Sequence, residues 1–150
     1  MKYSICIFKS VKKGSIVMFP MGFNKDGIRS AINKLTLLNT PYTEEELGKS
    51  IYSCFEITIT QDYESVDLGK PVFEYATGIK SYSKFVKEYK SIFSTFEPTK
   101  GYQFQPSQRA KDNSYVSMSE EITETVLVTK NVVDYNELAR AVEKCLELSR

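Results

Sequence analysis

The hydrophobic positions of two segments repeat with the period of an amphipathic helix. Residues 46–58 read ELGKSIYSCFEIT, and residues 137–149 read ELARAVEKCLELS. In each segment, four apolar residues fall at i, i+4, i+7 and i+8, which places them on one face of a helix. These residues are Leu47, Ile51, Cys54 and Phe55 in the first segment and Leu138, Val142, Cys145 and Leu146 in the second. The pattern predicts two short helices that each cover other parts of the protein with one face.

Both predicted helices begin with the signature of a capping box. Thr43 stands three positions before Glu46, and Asp134 stands three positions before Glu137. In a capping box the side chain of the cap residue and that of the Glu each accept a hydrogen bond from a backbone N–H that would otherwise lack a partner. We therefore expect one helix over about residues 44–57 and a second that follows Asp134 and runs nearly to residue 150.

Shorter runs rich in β-forming residues predict strands before the first helix. Residues 3–8 and 15–19 flank a Lys-Lys-Gly turn and predict an opening hairpin. Pro and Gly residues punctuate 20–27, which predicts a loop. The apolar residues of 28–38 suit both a helical turn and a strand, so the structure of this segment stays open.

The middle of the chain combines the helical and the strand periodicity. The acidic stretch 61–70 predicts a loop, which Gly and Pro close before a short strand over 72–76. Apolar residues at helical spacing predict a helix over 81–89, and the alternating run that follows predicts a strand over 91–97.

The last third of the chain supplies the remaining elements. A turn at 98–101, with Pro early and Gly at its end, predicts an antiparallel return strand over 102–105. Polar residues predict an exposed loop over 106–114, and a β-rich run predicts a strand over 123–129. Together these elements predict an α+β fold, with about three helices packed against a mostly antiparallel twisted sheet that contains β-hairpins. At this length we expect a single domain over residues 1–150.

Composition excludes most familiar catalytic designs. The chain has no histidine, which removes His-dependent triads and His-ligated metal sites. Cys6, Cys54 and Cys145 form no Cys-x-x-Cys pair and stand among apolar residues, so we expect buried, inert thiols. The glycines form no phosphate-binding motif, and no zinc ligand set is present. No signal peptide or membrane span is recognisable, which predicts a cytoplasmic protein.

An active site made of carboxylates alone is the remaining enzyme hypothesis. Asp62, Glu64 and Asp67 are the most closely spaced loop acids, and such groups can bind Mg²⁺ or act as a catalytic pair. Acids on a surface loop are nevertheless usually only solvated. We therefore expect that the protein is not an enzyme and that it needs no cofactor and no metal.

Charge is banded along the chain, although the net charge is only +1. Residues 1–40 carry seven Lys and Arg against one acid, and residues 41–67 carry seven acids against one Lys. Residues 78–111 carry seven basic against two acidic residues, and residues 112–150 carry eight acidic against four basic. Such bands can form oppositely charged patches that steer a charged partner. Solvated helix faces rich in Glu would produce the same pattern without a function.

The basic segment 80–111 supports an alternative function, that of a small nucleic-acid-binding domain. It contains four aromatic residues among its Lys and Arg residues: Tyr82, Tyr89, Tyr102 and Phe104. Basic residues interleaved with aromatics can bind single strands by charge and stacking. A net charge of +1, however, lacks the strongly basic signature of a whole nucleic-acid-binding domain.

Three stretches resemble the immunity proteins of contact-dependent growth inhibition systems, a bacterial family. The stretch EEELGKSIYSCFEI resembles a characteristic helix of that family, and NELARAVEKCLELSR is similar to its second capped helix. Between them, SYSKFVKEYKSIFSTFEPTKGYQFQPSQRAK resembles the middle section, in which a Lys-Phe helix leads into paired strands. The order of the three stretches carries the resemblance, which covers most of the chain.

The resemblance implies a cytoplasmic antidote that forms a complex with one cognate toxin domain. Such a protein binds the C-terminal toxin domain delivered by a neighbouring cell and covers its active site or its substrate-binding surface. Toxins of these systems are commonly nucleases, which present basic surfaces to phosphates, so carboxylates of an inhibitor can compete for that surface.

Charge complementarity of this kind directs attention to the exposed acids near the first helix. The candidate contact residues are Asp62, Tyr63, Glu64 and Asp67 in the acidic loop, with Glu44 and Glu45 at the helix start. Loops and tyrosines often carry recognition. A solvated loop, and acids that favour a helix N-terminus for electrostatic reasons, explain the same residues without a partner. The next candidates are Glu120, Glu121 and Glu124.

Overall fold

A computed structural model of the chain describes residues 2–23, 27, 29–32, 34–60, 71–119, 122–129 and 131–150. Within these ranges it contains eight strands and four helices. In chain order they are β1 (Tyr3–Ser10), β2 (Ile16–Phe23), β3 (Arg29–Ala31), β4 (Thr36–Leu38), α1 (Glu44–Thr60), α2 (Val72–Thr77), α3 (Tyr82–Glu88), β5 (Tyr89–Glu97), β6 (Gly101–Arg109), β7 (Tyr115–Ser117), β8 (Glu124–Val126) and α4 (Tyr135–Leu148). The α+β fold predicted from the sequence is confirmed.

The strands form one antiparallel sheet. Its order is β3-β2-β1-β5-β6-β7, with β4 pairing β2 and β8 pairing β6. The four long strands are central, and each outer long strand is bordered by two short strands. Short edge strands leave little unpaired backbone for association with another chain.

Helices α1 and α4 pack side by side across one face of the sheet. Their predicted apolar stripes are buried against the inward side chains of the central strands. Glu44 of α1 contacts Arg140 of α4, whereas Gly48, further along α1, contacts the earlier residue Tyr135. The two helices therefore run antiparallel, and the large core of the protein lies between them and the sheet.

Both predicted helix caps are present. The backbone N–H of Glu46 donates to the Thr43 hydroxyl oxygen at 3.1 Å. Asp134 accepts from the backbone N–H groups of Asn136 at 3.0 Å and of Glu137 at 3.2 Å. These bonds satisfy first-turn donors that have no partner inside the helix, and so they fix where each helix begins.

The sequence predicted a loop over 20–27, but strand β2 continues to Phe23. The prediction is therefore wrong for residues 20–23. The carbonyl oxygen of Pro20 accepts a hydrogen bond from the backbone N–H of Ile32 at 2.9 Å. The Pro20 nitrogen faces the same edge of β2. Proline lies there between residues 16–18, which pair with β4, and residues 21–23, which pair with β3. No ladder N–H is required there, which explains why the strand tolerates a proline. The open segment 28–38 contains the strands β3 and β4.

Residues 72–76, predicted as a strand, form the helix α2 instead. Pro71 precedes the first turn, and Gly78 follows the last turn with a φ of 77°. Proline suits a helix start, and glycine adopts the left-handed conformation of a helix end without strain. Phe73 then packs on Phe85, with ring centroids 5.3 Å apart. This tertiary contact, which the local pattern does not reveal, favours the helix.

Strand β6 extends to Arg109, so the predicted loop over 106–114 is wrong for its first four residues. The backbone N–H of Ser107 donates to the Ser149 hydroxyl at 3.0 Å, and its carbonyl oxygen accepts from the backbone N–H of Arg150 at 2.9 Å. The residues after α4 thus supply the backbone partners of this part of β6. Such long-range pairing cannot be read from a polar local sequence.

The other predicted elements are confirmed, with shifted ends. Helix α3, strand β5 and the turn at 98–101 stand where the sequence predicts them, although the strand predicted over 123–129 is ordered as β only at Glu124–Val126. Cys54 and Cys145 are buried as expected, whereas Cys6 is half-buried. None of the described helices is long and apolar enough to cross a membrane.

Candidate functional site

The outer surface of α1 and α4 is the acidic side of the described protein. Helix α1 carries four Glu against one Lys, and α4 carries three Glu against one Arg and one Lys. Both helices come from the acidic bands of the sequence, while the central strands and α3 come mostly from the basic bands. The two helices are therefore acidic, although Lys9 of β1 and Lys90 of β5 contact α4.

Glu44 and Glu45 are exposed in the first turn of α1, as the sequence predicts. Their side chains are 54% and 64% exposed. Glu44 pairs with Arg140 at 3.3 Å and Glu45 pairs with Lys49 at 3.2 Å. Exposed ion pairs contribute on the order of 0–1 kcal/mol, so a stronger cationic partner could displace either one. Both carboxylates are thus available to a basic surface.

The other four candidate residues, Asp62, Tyr63, Glu64 and Asp67, lie outside the described residues. Their segment follows Thr60, the last residue of α1. A helix of 17 residues is about 25 Å long. Thr60 therefore lies at the end of α1 opposite to Glu44 and Glu45.

A network of three side chains holds the start of α1 against the rest of the protein. The Tyr42 hydroxyl donates to Glu143 Oε1 at 2.6 Å, and Lys9 Nζ donates to Glu143 Oε2 at 2.9 Å. Burial raises the pKa of Tyr42, which keeps its hydroxyl protonated as a donor. Burial by itself would lower the pKa of Lys9, but the hydrogen bond and charge of Glu143 raise it, which keeps the ammonium charged. These contacts connect β1, α4 and the residues before α1.

A shallow hollow of about 150 Å³ lies between α4 and β8. Glu124, one of the second set of candidates, borders it and pairs with Lys144 at 2.6 Å. Glu137 and Arg140 line the same hollow. Glu120 and Glu121 lie outside the described residues. The hollow has charges of both signs, so it does not present a uniform acidic surface.

The opposite face of the sheet has an apolar groove of about 260 Å³ beside α2 and α3. Eight residues line it: Cys6, Phe8, Phe19, Met21, Phe73, Tyr82, Phe85 and Tyr115.

The alternative function, nucleic-acid binding, requires exposed aromatic side chains in the basic segment 80–111. Tyr102 and Phe104, however, are only 2% and 0% exposed and face the α1/α4 core. Tyr82 is 39% exposed, and Tyr89 stacks on Phe85. Two of the four predicted stacking residues are therefore unavailable to bases.

The structure also shows exposed apolar residues that the sequence pattern did not single out. Leu127, Val128 and Val132 lie in the segment between β8 and α4. The sequence predicted a strand over 123–129, which includes Leu127 and Val128 but not Val132, whereas β8 ends at Val126. Among the described residues, no group of three or more His, Cys, Asp or Glu residues could hold a metal ion.

The fold has relatives among solved structures. No protein-family model and no curated protein matches the sequence. The protein of unknown function NMB0488 from Neisseria meningitidis matches 100% of this chain and 96% of its own, with a TM-score of 0.67 and 10% identity. A chain of the CdiA-CT/CdiI toxin and immunity complex from Yersinia pseudotuberculosis also matches, with a TM-score of 0.66 and 9% identity. That match covers 100% of this chain and 98% of the other chain. At these identities, the likeness shows a shared fold.

Proposed function

We propose that this chain is an immunity protein, which binds the toxin domain of a contact-dependent growth inhibition system in the cytoplasm and neutralises it without catalysis. The observation that carries the proposal is the shared fold with a chain of a toxin and immunity complex, which extends over the full length of this chain. The order of the three sequence stretches that resemble the immunity family supports the same function independently.

The proposed toxin is a nuclease whose active site or substrate-binding surface becomes covered. A nuclease presents basic side chains to phosphate groups, and the acidic α1/α4 side has the opposite charge. Complementary charge accelerates encounter and disfavours partners of the wrong sign. An inhibitor of this kind needs no cofactor and no metal, since it acts by occupying a surface.

The proposed contact includes Glu44 and Glu45, together with the acidic segment of Asp62, Tyr63, Glu64 and Asp67. The two glutamates are supported by their exposure and by the weakness of their ion pairs. The other four are supported by their charge and by the aromatic ring among them. Because Thr60, which precedes this segment in the chain, lies at the other end of α1 from Glu44 and Glu45, we propose two separable contacts.

Co-purification with the toxin domain encoded immediately upstream tests the proposal. We expect a stable one-to-one complex and protection of cells that express the toxin. Glu44→Lys with Glu45→Lys, and separately Asp62→Lys with Glu64→Lys, should each weaken binding about tenfold or more, mainly through a slower association rate. A stopped-flow or biosensor measurement at two salt concentrations resolves this effect, because screening reduces it at high salt.

A matched control is Glu74→Lys with Glu88→Lys, which makes the same change of charge on α2 and α3. We expect this variant to bind like the wild type. Absence of both a complex and protection by the wild type would refute the immunity function. If the wild type forms the complex and all three double variants bind equally well, the immunity function stands and the two proposed contacts are refuted.

A further inference from the structure

A cavity of about 370 Å³ lies between the β1/β2 hairpin, the start of β5 and the last turn of α4. It is larger than the apolar groove and the hollow described above. Its volume falls within the range of about 300–1,000 Å³ that is typical of pockets for small molecules. Four charged side chains line this space, which we call the hairpin cavity: Lys9, Lys90, Glu143 and Glu147.

Two of these four charges, those of Lys9 and Glu143, already neutralise each other. Lys9 Nζ donates to Glu143 Oε2 at 2.9 Å, and the Tyr42 hydroxyl donates to Glu143 Oε1 at 2.6 Å. Both carboxylate oxygens of Glu143 therefore have a donor. This network fixes one wall of the hairpin cavity and adds no net charge to it.

The other two charges, those of Lys90 and Glu147, have no such partner. Among the residues that the structure describes, neither side chain forms an ion pair, with the other or with a third residue. Lys90 Nζ reaches only the carbonyl oxygen of Leu146, at 3.5 Å. Lys144, three positions before Glu147, is engaged by Glu124 at 2.6 Å. Within the described chain, the hairpin cavity thus presents one ammonium and one carboxylate that are both available.

The position of Glu147 is not explained by the stability of α4. This residue lies in the last turn of the helix, where the helix dipole disfavours a carboxylate, and that turn has no basic residue. Glu143 stands four positions earlier, so two like charges are neighbours on the helix surface. A cationic group bound in the hairpin cavity would offset both effects.

The hairpin that borders the cavity is held by backbone hydrogen bonds. The backbone N–H of Gly14 donates to the carbonyl oxygen of Ser10 at 2.9 Å, and that of Ser10 donates to the carbonyl oxygen of Ser15 at 2.9 Å. The backbone N–H of Val11 donates to the carbonyl oxygen of Glu88 at 2.8 Å, which joins the hairpin to the end of α3. A cavity with walls fixed in this way loses little conformational entropy when a ligand binds.

From this arrangement we propose that the hairpin cavity binds a small zwitterion, a free α-amino acid with an aliphatic side chain. Lys90 pairs with its carboxylate, Glu147 pairs with its ammonium group, and Val11 and Leu146 supply the apolar part of the lining. A simple anion would leave the Glu147 carboxylate unpaired, and a simple cation would leave the Lys90 ammonium unpaired. Only a ligand with both charges pairs with both residues.

This inference does not depend on the proposed immunity function, since none of the four charged residues of the hairpin cavity belongs to the proposed toxin contacts. The test therefore uses the full chain alone. L-Leucine and L-valine are titrated into it by calorimetry, and we expect at least one to bind with a Kd of about 1 mM or lower. Two-dimensional NMR should show that the backbone signals of Lys90 and Glu147 shift on binding.

Two analogues of L-leucine separate the zwitterion from its parts. 4-Methylpentanoate lacks the ammonium group and 3-methylbutylamine lacks the carboxylate, and each should bind at least about tenfold more weakly than L-leucine. Equal binding of 4-methylpentanoate would show an anion site, and equal binding of 3-methylbutylamine would show a cation site. Either result overturns the proposal, as does the absence of binding by both amino acids up to about 10 mM.

Variants of the two charged residues test their assigned roles. Lys90→Gln and Glu147→Gln should each weaken amino-acid binding by about tenfold or more, because each removes one charge-assisted contact. The controls are Lys87→Gln on α3 and Glu137→Gln at the other end of α4, which should bind within about twofold of the wild type.

The Glu147→Gln variant keeps the test decisive if Lys90→Gln fails to fold. Glu147 is exposed, so its substitution should leave the circular dichroism spectrum unchanged. Unchanged amino-acid affinity of the folded Glu147→Gln protein would overturn the proposal. The complex with the toxin domain is measured separately, so the immunity function stands or fails independently of this result.

Discussion

The two faces of the sheet are covered to very different extents. Helices α1 and α4, of 17 and 14 residues, bury a continuous core on one face. Helices α2 and α3, of 6 and 7 residues, leave an open apolar groove on the other. The fully covered face also carries the acidic side chains on its outer surface. The comparison indicates that stability and the proposed recognition depend on the same two helices, whose packing must remain intact for the recognition residues to be positioned.

Truncation of one phenylalanine on each face measures this difference directly. Phe55 on α1 is 0% exposed, whereas Phe73 on α2 is half-buried beside the groove. We expect Phe55→Ala to lower the free energy of unfolding by about 4 kcal/mol and Phe73→Ala by about 2 kcal/mol or less, since a partly exposed site loses fewer contacts. Urea denaturation followed by circular dichroism gives both values. Equal losses would show that the two faces contribute alike.

Gly48 tests how closely the two long helices must approach. A Cβ added at this position would lie 1.9 Å from the carbonyl oxygen of Tyr135, which belongs to the backbone of α4. Helix propensity alone predicts that Gly48→Ala stabilises by about 1 kcal/mol. We expect a loss of about 3 kcal/mol instead, because the helices must move apart.

The control for this prediction is Ser53→Ala at an exposed position of the same helix. Its free energy of unfolding should stay within about 0.5 kcal/mol of the wild type. Both variants are measured by urea denaturation under the same conditions. A stabilised Gly48→Ala protein would mean that the α1/α4 contact adapts without cost, and that the well-covered face is less tightly packed than its burial indicates.

The sequence predicted the well-covered face better than the other because its signals are local. The caps at Thr43 and Asp134 and the i, i+4, i+7 spacing determine α1 and α4 within the span of each helix. Helix α2 has too few residues to show a helical period in the sequence. Its helical structure depends instead on the tertiary contact of Phe73 with Phe85. Strand β6 was predicted too short because the partners of Ser107 come from the chain terminus.

The candidate site was predictable to a smaller extent. Exposed acids at a helix start are visible in a sequence, and the structure confirms the exposure of Glu44 and Glu45. The exposure of Leu127 and Val128 was not predictable, since both fall within the strand that the sequence predicted over 123–129. Only the tertiary position of β8 leaves these side chains without cover. Exposed apolar residues therefore resemble core residues in the sequence, whereas exposed charged residues do not.

Substitution of the cysteines should have the smallest effect on the free energy of unfolding at neutral pH. It compares the two faces of the sheet, because each face contains at least one cysteine. Cys54 and Cys145 lie in the α1/α4 core, with 2% and 0% exposure, whereas Cys6 lines the groove. We expect Cys54→Ala with Cys145→Ala to cost about 2 kcal/mol in total and Cys6→Ala to cost less than about 1 kcal/mol. Binding to the proposed toxin domain should be unchanged in both variants, because none of these thiols belongs to the proposed contacts. Reduced binding by a folded variant would contradict this assignment.

Rising pH should reduce and then reverse the stability difference between the wild type and the Cys54→Ala with Cys145→Ala variant. Burial raises the pKa of Cys145 to about 12 and also raises the pKa of Cys54. Above about pH 8.5 the unfolded chain ionises both thiols while the folded protein keeps them protonated, so the wild type loses stability as the pH approaches 12. Each thiol costs the wild type about 1.4 kcal/mol per pH unit in this range, while the variant lacks this loss, so we expect the two urea midpoints to cross near about pH 9. Parallel stabilities from pH 7 to 11 would show that these thiols ionise as readily in the folded protein as in the unfolded chain, which is incompatible with burial between the two helices and the sheet.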